Sequence, residues 1–331
     1  MSATVLPVID VYLRPEDTQR ALADDVRTGL SARPKELPPK WFYDEQGSEL
    51  FDKITRLPEY YPTEAERSIL AEHSSFIADL SDADTLVELG AGSADKTRVL
   101  LDALRSRGSL ERYVPFDVSE SALIGAAKMI AGYYPGLEVH GVVGDFDHHL
   151  DAIPGGGTRL IAFLGGTIGN FDPAARTRFF AQINSQMSAH DTFLLGVDLV
   201  KDPARLVSAY DDETGVTAAF NKNVLAVINR SLGGSFDLER FDHVALWDPV
   251  NEWIEMRLRS IEKQRVTVRD IGLTVDFAAG EEMRTEISAK FRRERISREL
   301  ASAGLELVAW LPDTAGDYAL ILTRCSSRAS P

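Results

Sequence analysis

The sequence predicts an α/β protein whose main domain is a doubly wound, mostly parallel sheet. Short apolar stretches alternate with segments of helical periodicity over residues 64–200, and strands separated by helices are typical of parallel crossovers. The turn Gly90-Ala91-Gly92 joins the first of these strands to its helix and lets another group approach the backbone closely. A helix that ends at Gly304 precedes two further strands, which close the sheet.

Each element of this sheet follows from its residue pattern. Strands are predicted at 85–89, 112–117, 138–143, 159–164 and 192–198, and helices at 64–80, 94–106, 119–133 and 173–188. Thr63 and Glu66 form a capping-box pattern at the start of the first of these helices. The last two strands, 305–310 and 317–323, are joined by a short polar segment that permits antiparallel pairing. The resulting seven-stranded sheet resembles the class I, Rossmann-like methyltransferase fold.

Residues 201–290 have no place in this sheet and predict a second, α+β domain inserted between its fifth and sixth strands. Residues 221–230 have a helical pattern, and alternating runs near 241–248, 252–260 and 264–277 predict an antiparallel sheet. The N-terminal segment joins this domain, with an amphipathic helix over 15–31 and a stretch rich in proline and aromatic residues over 33–62. We therefore predict a methyltransferase-type domain over 64–200 and 291–331 and a substrate-recognition domain over 13–63 and 201–290.

The composition favours a small-molecule ligand. The chain has 331 residues and a formal net charge of −15 without a basic patch or tail, which argues against nucleic acid and anionic membranes as partners. No apolar run is long enough to span a bilayer, and the start lacks the pattern of a secretory signal. Cys325 is the single cysteine, which fits a reducing cytoplasm, and the six histidines show no metal-binding spacing. We expect a cytoplasmic monomer.

Acidic residues at three strand ends point to a cofactor. Glu88 stands two positions before Gly90, where a carboxylate can receive the ammonium or hydroxyl groups of a ligand at the turn. Asp117 ends the second strand, where an acid can bind both ribose hydroxyls. Asp145 follows the third strand and would accept a hydrogen bond from an adenine amino group, with Phe146 packed on the ring. Each acid alone is more often a cap or a solvated turn residue, but together they predict S-adenosylmethionine, whose methionine end is cationic.

Several neighbouring features leave alternatives open. Asp95 stands where the third glycine of a dinucleotide fingerprint belongs, so a dinucleotide is the weaker alternative. Lys96 is either a solvated charge or a contact near the cofactor carboxylate. Asn170 lies in a glycine-rich segment after the fourth strand and is either the N-cap of the next helix or a substrate contact. The stretch 280–291 is polar and precedes a helix, and its pattern alone does not single out Glu286.

Longer motifs are spread over nearly the whole chain, at residues 38–44, 54–63, 87–90, 165–170, 198–202, 210–212, 215–221 and 285–291. They resemble one family, the L-histidine Nα-methyltransferases of ergothioneine biosynthesis, and most closely its actinobacterial members. The stretch Leu57-Pro58-Glu59-Tyr60-Tyr61-Pro62-Thr63 is specific to a narrow group. The resemblance implies that S-adenosylmethionine, which leaves as S-adenosylhomocysteine, methylates the α-amine of L-histidine and of its mono- and dimethylated forms. The product would be hercynine, and no metal would take part.

The resemblance also implies roles for individual residues. Asn170 and Tyr210 would hold the substrate carboxylate, and Tyr43 would lie near the amine and the cofactor, with Tyr43 and Asn170 as the catalytic residues. The other implied substrate-binding residues are Tyr60, Glu286 and Ser288 for the imidazole, and Phe220 and Met256 as walls of the pocket. The residues predicted or implied to hold the cofactor are Tyr43, Glu88, Gly90, Gly92, Lys96, Asp117, Asp145 and Phe146.

The chain departs from the family pattern in the turn over 90–95, which is rich in serine and threonine in many relatives, and at Gly166, which replaces a serine. Two alternatives to the histidine methyltransferase are the same chemistry on another amino acid, such as tryptophan, and a regulatory module that binds the cofactor without catalysis. Glu286 and Ser288 favour an imidazole, because an indole has one donor and no ring-nitrogen acceptor. The full complement of substrate residues argues against the regulatory module.

Overall fold

The computed structural model describes residues 6–92, 96–146 and 148–326. The chain divides into two units, the first comprising Met1–Leu13, Glu64–Leu199 and Phe291–Pro331, and the second Arg14–Thr63 and Val200–Lys290. Within the described ranges, no helix has both the length and the apolar character needed to cross a membrane. Asp95, which departs from the dinucleotide fingerprint, lies outside the described residues, as does the rest of 93–95.

Strands and helices alternate along most of the chain. The strands are β1 (Val8–Val11), β2 (Lys35–Glu36), β3 (Thr85–Leu89), β4 (Arg112–Asp117), β5 (Glu138–Val143), β6 (Arg159–Phe163), β7 (Thr192–Asp198), β8 (Phe241–Asp248), β9 (Trp253–Ser260), β10 (Gln264–Val268), β11 (Leu273–Phe277), β12 (Glu282–Ala289), β13 (Leu305–Pro312) and β14 (Tyr318–Cys325). The α-helices are α1 (Pro15–Ser31), α2 (Glu45–Ile54), α3 (Pro62–Ser81), α4 (Thr97–Arg107), α5 (Glu120–Tyr133), α6 (Pro173–Gln186), α7 (Pro203–Ser208), α8 (Val216–Leu232) and α9 (Arg293–Ser302). Short 3-10 helices lie at Pro39–Phe42, Leu150–Ala152, Thr167–Asn170, Leu238–Arg240 and Arg269–Ile271.

The first unit contains a sheet of eight strands in the order β1-β5-β4-β3-β6-β7-β14-β13. The first six strands in this order run parallel, and β14 is antiparallel to both β7 and β13. The predicted α/β sheet with an antiparallel closing pair is therefore confirmed. The predicted number of seven strands is wrong by one, because β1 adds an eighth strand at the edge, beside β5. Strand β1 has only four residues, and Val8 and Val11 are exposed, so it lacks the buried apolar pattern that reveals the other strands.

Local signals explain where the helices of this unit begin and end. Gly108 ends α4 with a φ of +83°, a conformation that favours glycine. At the start of α6, the Asp172 side chain accepts a hydrogen bond from the Ala175 amide at 2.7 Å, and Pro173 occupies the first turn. The N-cap of α6 is thus Asp172, and the alternative that Asn170 caps this helix is wrong.

The second unit contains a four-stranded sheet in the order β2-β12-β9-β8 and a separate hairpin, β10-β11. The predicted helix over 221–230 is part of the longer α8, whose Phe220 and Val224 share an apolar core with Met256 of β9. The alternating runs form antiparallel strands, as predicted. The polar stretch 280–291 contains strand β12, which the sequence pattern does not reveal because a bulge interrupts its alternation.

Candidate active site

The glycine turn after β3 is held in place by hydrogen bonds that its backbone amides donate to β4. Gly90 and Gly92 have φ angles of +76° and +48°, in the left-handed region that favours glycine. The Gly90 amide donates to the Phe116 carbonyl oxygen at 2.8 Å. The Gly92 amide donates to the Asp117 carboxylate at 3.1 Å. Among the described residues, a Cβ built on Gly92 would meet no atom within 4 Å, so there is space beside the turn.

Asp117 ends β4 next to this turn. One of its oxygens accepts from the Ser119 amide at 2.9 Å, and the other accepts from the Gly92 amide. Burial raises the pKa of Asp117, and the hydrogen bonds from backbone amides offset part of this effect. Each carboxylate oxygen can accept a second hydrogen bond, so this side chain has the capacity to bind ligand hydroxyls at the end of the strand.

Glu88 lies near the tip of β3 and is buried. Its carboxylate accepts from the Tyr113 hydroxyl at 2.5 Å and from the Thr97 hydroxyl. Burial raises the pKa of Glu88 to about 7, against the lowering effect of these two hydroxyls. These bonds tie β3 to β4 and to the first residue of α4, so Glu88 shapes the turn. Its predicted contact with the cofactor stays a prediction.

A second buried carboxylate, Glu66 of α3, lies at the same edge of the sheet. One of its oxygens accepts from the Gly165 amide and from the Tyr318 hydroxyl, both at 2.8 Å. The other oxygen forms an ion pair with Lys96. The capping-box spacing of Thr63 and Glu66 gives no sign of this network. Lys96 therefore stands beside the loop that follows β6, and its predicted contact with the cofactor stays a prediction.

Phe146, which follows β5, lies among other aromatic rings. It stacks on Phe116 with ring centroids 5.5 Å apart and meets Phe163 edge to face at 5.3 Å. A Cβ built on Gly90 would lie 3.7 Å from the Phe146 ring. The structure thus brings Phe146 next to the glycine turn, and Asp145 directly precedes it in the same loop. Both predicted adenine contacts therefore stand near the end of β3.

In the second unit, the two residues implied to bind an imidazole lie on β12. Glu286 pairs with Met256 of β9, and Ser288 pairs with Ile254. Residues that pair directly share one face of a sheet, so these four side chains lie on the same face. Glu286 is 8% exposed and Ser288 is 6% exposed. An acid and a hydroxyl are therefore buried beside apolar side chains.

A buried ammonium group orders the hydroxyls beside Ser288. The Tyr210 hydroxyl lies 2.7 Å from Ser288 Oγ, and Lys290 Nζ donates to both oxygens at 2.9 Å. Lys290 is fully buried, and its Nζ lies 4.6 Å from the centroid of the Tyr210 ring. Because an ammonium group only donates, each hydroxyl oxygen accepts from it. Sequence reasoning missed Lys290, although its spacing of two residues from Ser288 is the signal that would have found it.

The aromatic residues implied at the substrate site form one linked group in the second unit. The rings of Tyr43 and Phe51 lie 5.4 Å and 5.8 Å from that of Phe220. Phe51 lies 6.2 Å from Tyr60, and Tyr60 lies 6.3 Å from Tyr210. The structure thus brings Tyr43, Tyr60, Tyr210 and Phe220 together. Phe51 is a further member that sequence reasoning did not assign to the site.

Asn170, the remaining implied substrate residue, belongs to the first unit. It is half-buried and ends the 3-10 helix Thr167–Asn170 in the loop after β6. Gly166 precedes this helix with a φ of +69°, and a Cβ built on it would lie 3.5 Å from the Tyr318 hydroxyl. In the part of the chain that the structure describes, no cluster of histidine, cysteine, aspartate and glutamate side chains could hold a metal ion.

Comparisons with known proteins identify the family. A family model described as a histidine-specific, SAM-dependent methyltransferase matches residues 22–325. This chain belongs to that family. The histidine N-alpha-methyltransferase of Mycobacterium tuberculosis is 58% identical to it over 91% of this chain and 94% of its own length. The histidine N-alpha-methyltransferase of Mycolicibacterium smegmatis is 55% identical over 94% of this chain and 97% of its own length. The ergothioneine biosynthesis protein 1 of Neurospora crassa is 29% identical over 83% of this chain and 32% of its own length.

The candidate residues of this histidine-specific methyltransferase fall into two sets. The cofactor set lies on the first unit, apart from Tyr43, and surrounds the carboxyl ends of β3, β4 and β5, where ligands of open parallel sheets bind. The substrate set lies on the second unit, apart from Asn170. The role of each residue in binding stays a prediction, and S-adenosylmethionine is the cofactor of the family.

Proposed function

We propose that this protein transfers three methyl groups from S-adenosylmethionine to the α-amine of L-histidine, giving hercynine in the first step of ergothioneine biosynthesis. The observation that carries the proposal is the buried pair Glu286 and Ser288 on one face of β12. A carboxylate and a hydroxyl match the two nitrogens of a neutral imidazole, one of which donates and one of which accepts. The mycobacterial relatives named as histidine N-alpha-methyltransferases support the same substrate.

The first unit would hold the cofactor around the glycine turn. Gly90 and Gly92 leave the backbone open to close approach by a ligand. Asp117 would accept from the ribose hydroxyls, and Asp145 would accept from the adenine amino group, while Phe146 packs against the ring. When bound, S-adenosylmethionine supplies a methyl group on a positively charged sulfur, which is already a strong electrophile. The protein's main contribution is therefore to orient the two reactants.

The second unit would select histidine by its ring. Glu286 would accept a hydrogen bond from the imidazole N–H group. Lys290 Nζ donates to both the Ser288 and the Tyr210 hydroxyl oxygens, so in the bound complex Ser288 would donate its own proton to the other ring nitrogen and Tyr210 would donate its proton to the substrate. Tyr210 and Asn170 would bind the carboxylate of the amino acid. This arrangement favours a neutral imidazole with one protonated nitrogen.

The amine must lose a proton before each transfer and ends with a permanent positive charge. Aromatic rings suit this change better than fixed acceptors, because their faces attract cations and accommodate added methyl groups. Tyr43 and Phe220 supply such rings. The Tyr43 hydroxyl, on a side chain that is 37% exposed, would pass the proton toward solvent. Alignment of the nitrogen with the methyl group would supply much of the rate, since good alignment is worth about 7–11 kcal/mol in favourable intramolecular cases.

The two alternatives are weaker on these observations. An indole has one ring donor and no ring-nitrogen acceptor, so tryptophan would leave the Ser288 hydroxyl without a ring partner. A regulatory module without catalysis would not need an acid and a hydroxyl buried beside a linked group of aromatic rings. Histidine methylation uses all of these groups.

Mass spectrometry of the purified protein with S-adenosylmethionine and a mixture of the amino acids tests the proposal. We expect a mass gain of three methyl groups on histidine and on no other amino acid. A gain on tryptophan, or no gain on any amino acid, would refute the histidine assignment. Omitting S-adenosylmethionine is the control, and it should leave all masses unchanged.

We also propose that the protein acts as a monomer in the cytoplasm. The support is the single cysteine and the formal net charge of −15, because a large net charge disfavours self-association. Size-exclusion chromatography with light scattering measures the oligomeric state directly. A mass of one chain is expected, and a mass of two chains would contradict the proposal.

A further inference from the structure

Strand β12 contains one residue more than the segment of β9 with which it pairs. Arg284 pairs with Arg257. The next pair is Glu286 with Met256, which leaves Thr285 without a place in the ladder. This is a β-bulge, a feature that redirects side chains and is common next to functional sites. The bulge stands directly before the acid that is proposed to bind the imidazole.

The extra residue decides which face of the sheet carries Glu286. In an uninterrupted ladder, Glu286 would pair with Glu255, on the face that carries Arg257. Two carboxylates that face each other across a ladder repel. With the bulge, Glu286 instead pairs with Met256, whose side chain belongs to the apolar core of the second unit. The position of Glu286, the residue proposed to bind the imidazole, therefore depends on the bulge.

Two buried polar side chains hold the bulge. Thr285 is 1% exposed, and its single hydroxyl proton is shared between two acceptors, Asn221 Oδ1 at 2.6 Å and the Met256 carbonyl oxygen at 3.0 Å. Asn221, fully buried in α8, donates from its amide to the Arg257 carbonyl oxygen at 3.0 Å. The two carbonyl groups belong to consecutive residues of β9 at the interruption. Side chains thus bond the backbone where the regular ladder is broken.

The same network reaches the tyrosine proposed to bind the substrate carboxylate. The Asn221 amide lies 2.8 Å from His243 Nδ1, and His243 Nε2 lies 2.7 Å from the Tyr210 carbonyl oxygen. Burial lowers the pKa of His243, in keeping with a neutral ring that accepts at Nδ1 and donates at Nε2. Asn221 therefore contacts both the bulge before Glu286 and the ring that bonds to Tyr210.

We propose that Thr285 and Asn221 are positioning residues for substrate selection, which hold the bulge that places Glu286 on the ligand-binding face of β12. Neither residue touches the substrate. Thr285 acts through Glu286, and Asn221 acts through both Thr285 and His243. This inference rests on the proposed function, because it explains how Glu286 is placed to bind the imidazole of histidine.

The substitution Thr285→Val tests the inference, because it keeps the branched shape and removes the hydroxyl. We expect the KM for histidine to rise at least about tenfold, because a displaced Glu286 would lose its hydrogen bond to the imidazole and a hydrogen bond to a charged group is worth at least that factor. The affinity for S-adenosylmethionine should be unchanged. Thr285→Ser, which restores the hydroxyl, should return the KM to near its original value. Thr274→Val, at an exposed position of β11, is the matched control and should leave the KM unchanged. An unchanged KM in a folded Thr285→Val protein would overturn the inference.

A double-mutant cycle separates positioning from general destabilisation. If Thr285 acts through Glu286, Thr285→Val should raise the KM in the unsubstituted protein but add nothing in a Glu286→Ala background. An equal rise in both backgrounds would overturn the inference. Should Thr285→Val fail to fold, Thr285→Cys replaces the hydroxyl by a weaker donor and supports the same comparison, with a smaller rise expected.

The unsubstituted protein distinguishes the failure of this inference from that of the proposed function. No methylation of histidine by the unsubstituted protein would refute the proposed function, and this inference with it. If the unsubstituted protein methylates histidine but Thr285→Val raises the KM equally with and without Glu286→Ala, the positioning role of Thr285 is refuted and the proposed function stands.

Discussion

Replacing Glu286 by alanine removes the interaction on which selection of histidine depends. The side chain is 8% exposed, so bulk water does not readily take its place as the partner of a ring N–H group. A hydrogen bond to a charged group contributes about 1.5–3 kcal/mol, and about 1.4 kcal/mol corresponds to a factor of ten in affinity. We therefore expect Glu286→Ala to weaken histidine binding by about one to two orders of magnitude. Isothermal titration calorimetry with histidine, in the presence of S-adenosylhomocysteine, measures this change.

Glu282→Ala is the matched control for this experiment. Glu282 is a glutamate of the same strand, but it pairs with Arg259 and its carboxylate bonds to the side chains of Arg257 and Arg259. Its removal should leave histidine affinity unchanged. Unchanged histidine affinity in Glu286→Ala, or an equal loss in both variants, would refute the reasoning. The affinity for S-adenosylhomocysteine should be the same in both variants and in the unsubstituted protein.

Three further predictions concern the first unit. Asp117→Ala removes the acceptor predicted for the ribose, so the affinity for S-adenosylmethionine should fall at least about tenfold by calorimetry, and an unaltered affinity would argue against that role. Gly196→Ala would place a Cβ against a Glu66 carboxylate oxygen and 2.5 Å from the Tyr318 hydroxyl, so the free energy of unfolding in urea should fall by about 1–3 kcal/mol. Burial raises the pKa of Glu88 from 4.5 to about 7, so the folded protein keeps a proton that the unfolded chain releases, and stability falls as the pH rises through this window. Glu88→Gln cannot ionise, so its stability lacks this dependence on pH. As the pH rises from 4.5 to about 7, the free energy of unfolding of the unsubstituted protein should fall by about 3 kcal/mol relative to that of Glu88→Gln. A difference between the two proteins that stays constant over this range would contradict the prediction.

The central strands of the main sheet were predictable because they are buried on both faces. Such strands appear in the sequence as short apolar runs between turn residues, and β3 and β7 begin and end at the predicted residues. Strand β1 could not be predicted in this way, since an exposed edge strand of four residues has no such pattern. Its pairing with β5 joins residues that are far apart in the chain.

The cofactor side of the site was predictable to a greater extent than the substrate side. Parallel strands end at one edge of a sheet, so the sequence alone indicates that the turn at Gly90 and the acid Asp117 lie near each other. Glu286 could be assigned only through resemblance, because the bulge at Thr285 breaks the alternation that would reveal its strand and its face. The partner that holds this bulge, Asn221, is 64 residues away in the chain. No local pattern predicts such a contact.

A crystal structure with histidine and S-adenosylhomocysteine bound tests the central claim most directly. We expect one imidazole nitrogen at about 2.7–3.2 Å from the Glu286 carboxylate and the other at a similar distance from Ser288 Oγ. A bound histidine whose ring makes no contact with Glu286 would contradict the claim.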